Sequence, residues 1–185
     1  MNPPNLPGLA PDLYTRALWF AAAAHGDQRV PGNGFPYVVH LALVTHELAG
    51  AIAADPTLGP ALAIPVGVLH DVLEDTETTP AAIQAAFGDH VLAGVKALSK
   101  NASLPKEERL ADSLRRIRAA PREVWVVKLA DRTANLLPPP KDWTAEKAAK
   151  YRDEAGQILA ALGEASPFLA ARLADRIARY PHTHP

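Results

Sequence analysis

The chain has 185 residues, with 19 Lys or Arg against 20 Asp or Glu for a formal charge of −1, and no cysteine. That length suits one domain burying roughly two-thirds or more of its unfolded surface, and without cysteine there is no thiol chemistry, zinc finger or disulfide scaffold. Near-neutral charge argues against nucleic acid as the main partner, because phosphate-backbone binding draws on a strongly positive surface.

Residues 1–11 are proline-rich and lack the basic start and apolar run of a secretory signal. The apolar runs at 17–24 and 61–69 are too short, or too broken by proline, to span a bilayer. A cytoplasmic protein without a membrane partner is expected. Helix-spaced Ala, Leu and Val with little strict alternation predict an all-α fold. Pro11-Asp12 opens a helix through His25, with Leu13, Ala17, Phe20, Ala21 and Ala24 on one side. Turn chemistry makes 26–34, with Pro31-Gly32-Asn33-Gly34, a loop.

Pro36 suits the first turn of a second helix, which carries His40 and runs to Ala54. A third is expected to run unbroken from Pro60 past His70 to Asp75 or slightly beyond. Thr79-Pro80 starts a short helix closed by Gly88, and another covers 89–99. Leu104-Pro105 begins a basic helix to Arg118. Between Lys96 and Arg118 seven Lys or Arg face three Asp or Glu, a surplus suited to a phosphorylated substrate or to a solvated face. Helices at 121–137, 144–162 and 167–180 follow. The whole reads as one bundle of eight to ten helices, with residues 1–11 and 181–185 as tails.

The chemistry centres on residues 67–76. At about 100° per residue, His70, Asp71, Glu74 and Asp75 share a sector of roughly 140°, opposite Val68, Leu69, Val72 and Leu73. Alone, this stretch also reads as a solvated acidic helix end with a buried histidine. On the 121–137 helix, Lys128, Asp131 and Asn135 lie within about 60°, and Asp131 supplies another carboxylate. His40, His70, Asp71 and Asp131 would make a mixed nitrogen and oxygen set for manganese, iron or a related divalent ion. His25, His46 and His90 are assigned to packing, surface or helix-end roles, and His182 and His184 to the tail. Trp19, Trp125 and Trp143 are expected to pack between helices, and Arg132 to pair with an acid.

Three motifs occur in order: Ala24-His25 to Gln28-Arg29 followed by Pro36-Tyr37-Val38-Val39-His40, then His70-Asp71 with Glu74-Asp75-Thr76, then Lys128-Leu129-Ala130-Asp131-Arg132 with Asn135. Together they resemble the HD-domain metal phosphohydrolases, and most closely the RelA/SpoT-type alarmone hydrolases in their small stand-alone form, over residues 12–180. The resemblance implies one HD domain without a synthetase domain. It implies Mn²⁺ held by His40, His70, Asp71 and Asp131, a nucleophilic water handled by Glu74 and Asp75, and release of pyrophosphate from the 3′ position of a purine 3′,5′-polyphosphate such as (p)ppGpp or (p)ppApp. Asn135, Lys147 and Tyr151 would contact that nucleotide, with Arg29 and Lys128 as further substrate contacts; within the basic segment, where Lys96, Lys106 and Arg109 could also gather phosphates, Lys100 is the expected contact because it begins a loop. Val30-Pro31 follow Arg29 where the family often continues with basic residues, so the choice of base stays open. A different HD phosphohydrolase releasing orthophosphate, and a non-catalytic nucleotide sensor, are the other readings; oligomeric state is not legible.

Overall fold

A computed structural model describes residues 11–181. The expected tails, with His182 and His184, lie outside the described residues except for Pro11 and Pro181. The helices are α1 (Pro11–His25), α2 (Val38–Ala54), α3 (Pro60–Leu69), α4 (Val72–Asp75), α5 (Pro80–Leu98), α6 (Arg109–Arg118), α7 (Arg122–Asn135), α8 (Ala145–Leu162) and α9 (Pro167–Arg179), with a 3-10 turn at Gly163–Ala165. No strand occurs among the described residues; one isolated antiparallel bridge joins Arg29 to Pro36. The expected all-α bundle is what forms.

α7 runs through the middle, packed on α2, α3, α8 and α9. Its apolar first half explains the position, because Val124, Val126, Val127, Leu129 and Ala130 are fully buried. Each such large side chain stabilises the fold by roughly 1.5–3 kcal/mol. α2 supplies Leu41, Val44 and Leu48 to the same core. α3 is buried along most of its length. At Gly67 a Cβ would stand 2.3 Å from Leu48 Cδ1, so a larger residue there would force the buried Leu48 side chain to shift.

Four boundaries depart from the sequence-based expectation. The helix expected from Pro60 to Asp75 breaks at His70-Asp71: Asp71 has φ −101° and ψ −7°, and α4 is a separate single turn. Thr76 ends that turn by donating its hydroxyl to the Val72 carbonyl, 2.6 Å. Pro36 lies in the bridge to Arg29 rather than in the first turn of α2, which begins at Val38. Residues 105–108 form a turn before α6, and α7 ends at Asn135 rather than Leu137. Gly88 does break its helix as expected, with φ 82° inside the span of α5. Thr79, Thr144 and Ser166 cap α5, α8 and α9 through side-chain acceptors, each typically worth about 1 kcal/mol.

Candidate metal centre and cleft

Three segments meet at the buried end of α7. His40 lies in the first turn of α2, His70 and Asp71 occupy the break after α3, and Asp131 lies near the end of α7. His40 and His70 are 3% exposed and Asp131 is 5% exposed. His40 Nε2 stands 3.2 Å from His70 Nε2 and 3.6 Å from both Asp71 Oδ2 and Asp131 Oδ1. His70 Nε2 is 2.8 Å from Asp71 Oδ2 and 3.5 Å from Asp131 Oδ1. One ligand atom from each of the four lies within 4.8 Å of every other. Donors bonded at about 2.1 Å to a single ion stand about 3 Å apart when adjacent and about 4.2 Å when opposed, so the cluster fits one divalent metal.

The neighbours set each donor. His70 Nδ1–H donates to the Gly67 carbonyl at 2.8 Å, which leaves Nε2 as the inward-facing atom. The Tyr37 hydroxyl donates to Asp71 Oδ2; burial, reinforced by Asp71, pushes the phenol well above its ordinary value and keeps it a donor. Lys128 Nζ, 3.0 Å away, holds Asp131 Oδ2, and Asn135 Nδ2 donates to Asp131 Oδ1 at 2.6 Å. Burial opposes ionisation of Asp71 and Asp131, but His70 and His40 for the first, and Lys128 and His70 for the second, outweigh it and hold both well below the carboxylate range. Burial likewise opposes charge on His70, yet Asp71 and Asp131 overcome it and raise the imidazole well above its usual value. Two ionised aspartates thus call for positive charge between them, which a proton on His70 supplies in the absence of a metal.

Beside this cluster opens a cavity of about 250 Å³ lined by Glu74, Asp75, Lys100, Lys128, Arg132, Asn135, Tyr151 and Glu154 together with His70, Asp71 and Asp131 of the cluster. Glu74 accepts from the Lys100 backbone N–H at 2.8 Å and from its ammonium at 2.9 Å. Burial opposes the charge on Lys100, but Glu74 outweighs it and raises the ammonium. Burial, then the charges of Asp71 and Glu74, raise the Asp75 carboxyl. Tyr151 and Asn135 also line a second, apolar cavity of about 480 Å³ between the 30–35 loop and residues 137–143. Gly32, with φ +86°, allows that loop to touch Pro140, whose Cγ stands 2.9 Å from the site of a Cβ.

The remaining expected contacts are placed less centrally. Arg29 is exposed, and Val30, not Arg29, lines the apolar cavity. Lys147 is exposed at the surface, its ammonium 4.3 Å over the Trp143 ring. Trp143 packs edge-on against Tyr151, and Trp125 packs on the core as expected. Trp19 does not, being 72% exposed on α1. His25 is buried, stacked on Tyr37 and bonded to Gln28, whereas His46 and His90 are at the surface. Arg132 approaches Glu154 only to 4.0 Å. Tyr37 and Arg132 went unassigned as site residues. The signal for Tyr37 was its position three residues before His40, which puts both on one face.

Two imidazoles and two aspartates from three segments of an all-α bundle define a metal-site protein of the HD type, and a model of the HD domain family matches residues 17–169. The chain belongs to the HD-domain family and, within it, to the RelA/SpoT-type small alarmone hydrolases. Guanosine-3′,5′-bis(diphosphate) 3′-pyrophosphohydrolase MESH1 of Danio rerio is 32% identical over 152 residues, which cover 77% of this chain and 80% of that protein. A GTP pyrophosphokinase of Myxococcus xanthus is 33% identical over 174 residues, 87% of this chain but 22% of that much longer protein. A solved structure of a metazoan ortholog of SpoT that hydrolyzes ppGpp superposes with a TM-score of 0.79 at 24% identity, covering 90% of this chain and 94% of that one. No helix among the described residues is long and apolar enough to cross a membrane.

Proposed function

We propose that the chain is a Mn²⁺-dependent 3′-pyrophosphohydrolase acting in the cytoplasm on (p)ppGpp or (p)ppApp, with residues 12–180 as its single catalytic domain. Water and the 3′-diphosphate give a 3′-hydroxyl and pyrophosphate, leaving the 5′-di- or triphosphate nucleoside. The observation that carries this reading is the cavity in which three members of the four-donor cluster, His70, Asp71 and Asp131, meet the Glu74–Asp75 pair and the Asn135–Tyr151 wall. The naming of the Danio rerio relative over four-fifths of its length supports the substrate class.

His40, His70, Asp71 and Asp131 would hold the ion, which when bound supplies an acidified water and offsets phosphoryl charge. Tyr37 and Gly67 orient Asp71 and His70 for that task. Glu74, fixed by two bonds from Lys100, orients the attacking water. Asp75, with its carboxyl raised, takes the proton, since a base tuned toward the working pH transfers protons most effectively. Asn135 and Tyr151 stand where the metal cavity joins the apolar one, so the nucleoside lies along them, with its base among Phe35, Pro138, Trp143 and Tyr180.

Incubation of the purified chain with Mn²⁺ and ppGpp or ppApp, followed by phosphorus NMR of the products, tests the reading. Stoichiometric pyrophosphate and a 5′-polyphosphate nucleoside are expected. Orthophosphate alone assigns the chain to another HD phosphohydrolase chemistry, and intact substrate in every condition leaves it a nucleotide-binding domain.

A further inference from the structure

Of the three cations lining the metal-side cavity, two are already committed. Lys100 is paired with Glu74 at 2.9 Å and Lys128 with Asp131 at 3.0 Å. The third, Arg132, is not. It is 7% exposed, its nearest carboxylate is Glu154 at 4.0 Å, and its buried Nε and Nη1 have no hydrogen-bond partner. The Tyr151 ring covers its guanidinium, with Cζ 4.3 Å from the ring centroid. Such stacking satisfies a face of the guanidinium but none of its in-plane N–H donors. A permanently charged fork held in a low-dielectric wall with empty donors is costly unless something completes it.

We propose that Arg132 is the substrate's anion-binding residue: its free donors close on phosphoryl oxygens of the 3′-diphosphate and hold the pyrophosphate as it leaves. This rests on the hydrolase reading above. Arginine suits the task because its planar fork matches two phosphoryl oxygens at once. Reaching the ligand asks for a side-chain rotamer change past Tyr151, a kind of adjustment common on binding. Glu154 acts against it, as a partly exposed carboxylate of the same cavity lining 4.0 Å from the guanidinium. In this assignment Lys100 serves Glu74, and Arg132, within long-range ion-pair distance of Glu154, takes the phosphate.

The test is equilibrium dialysis of radiolabelled inorganic pyrophosphate, at micromolar concentration, against the full Mn²⁺-loaded chain, alongside KM and kcat for the nucleotide. Arg132→Gln should weaken pyrophosphate binding by about tenfold or more, the scale of one lost charge-assisted hydrogen bond, and raise KM by a similar factor at unchanged metal content. Arg132→Lys should recover part of that loss. Glu154→Gln should tighten pyrophosphate binding by roughly two- to fivefold, since it removes a competing surface charge. Pyrophosphate affinity and KM within twofold of the parent in a folded Arg132→Gln chain overturn the proposal. If that variant does not fold, unchanged or weaker binding by Glu154→Gln overturns it. Failure of the parent chain to release pyrophosphate from any nucleotide would sink the hydrolase reading alone, because the dialysis reads anion binding without turnover.

Discussion

The two cavities that meet at Asn135 and Tyr151 are built on opposite principles. On the metal side, apart from the open donors of Arg132, the polar groups are answered by one another. His70 is fixed by a backbone carbonyl, Asp71 by Tyr37, Asp131 by Lys128 and Asn135, and Glu74 by Lys100. These side chains come from helices or their ends, with His70, Tyr37 and Asp131 buried and the others only partly covered or exposed. The other cavity is walled by two loops, prolines and aromatic rings, with few directed donors. The first arrangement fixes atoms to within the tolerance chemistry needs; the second offers area and shape. Catalysis and choice of nucleoside are therefore separable by mutation, and each of the following changes tests that separation.

Asp71→Ala should have the largest effect. It removes a ligand and leaves Tyr37 without its partner, so bound Mn²⁺ and turnover should both be lost, the latter by more than about 10³-fold; metal analysis with a pyrophosphate assay checks it. Glu74→Gln should lower kcat by about 10²–10⁴-fold, the usual range for a lost acid–base group, while Mn²⁺ content stays that of the parent. Tyr37→Phe takes away only the bond to Asp71 and should weaken metal affinity or activity by about 10–100-fold, as outer-shell partners of metal ligands do, read by Mn²⁺ titration. On the apolar side, Trp143→Ala should raise KM by roughly three- to tenfold, mainly through lost aromatic packing on Tyr151 and the base. Its kcat and metal content should not move; a fall in either would join the two regions that the geometry separates.

The smallest effect is one of pH. His70 is raised in the metal-free fold, so its contribution to stability is present below the ordinary histidine value and fades as pH rises through the raised one. Asp71 and Asp131 are lowered, and their contribution is present above the ordinary aspartate value, lost only in strong acid. As pH rises from the ordinary histidine value through the raised one, the metal-free chain therefore loses the proton that balances the two aspartates, whereas Mn²⁺ would replace it. The gain in melting temperature on adding Mn²⁺ should grow across that range by a few degrees, as measured by differential scanning fluorimetry. A gain that shrinks with rising pH would contradict the charge balance described.

What was legible in the chain was whatever a short local pattern expresses. Prolines at helix starts and the apolar spacing placed the long helices among the described residues, though not the separate turn of α4. His70-Asp71, His40 and Lys128-Leu129-Ala130-Asp131 announced themselves as donors, and the fold brings them together. The break at His70-Asp71 was hidden, because the periodicity of 60–75 is as consistent with one helix as with two; it arises from tertiary demands on Asp71, which must reach both the cluster and Tyr37. Arg132 was hidden for a similar reason. An arginine's partner lies wherever another helix puts an acid, and α8 leaves Glu154 just beyond hydrogen-bond reach. Trp19, expected to pack because tryptophan is large and apolar, is 72% exposed: it stands two residues, about 200° of helix, from both Ala17 and Ala21, so the periodicity that buries them turns it outward.

If His70 and Asp71 hold the ion while Glu74 and Asp75 handle its water, a single preparation of Glu74→Gln assayed for both bound Mn²⁺ and pyrophosphate release from ppGpp will show it most directly. One ion per chain with turnover reduced by about 10²-fold or more is predicted. Turnover equal to the parent's, or loss of the ion, would contradict it.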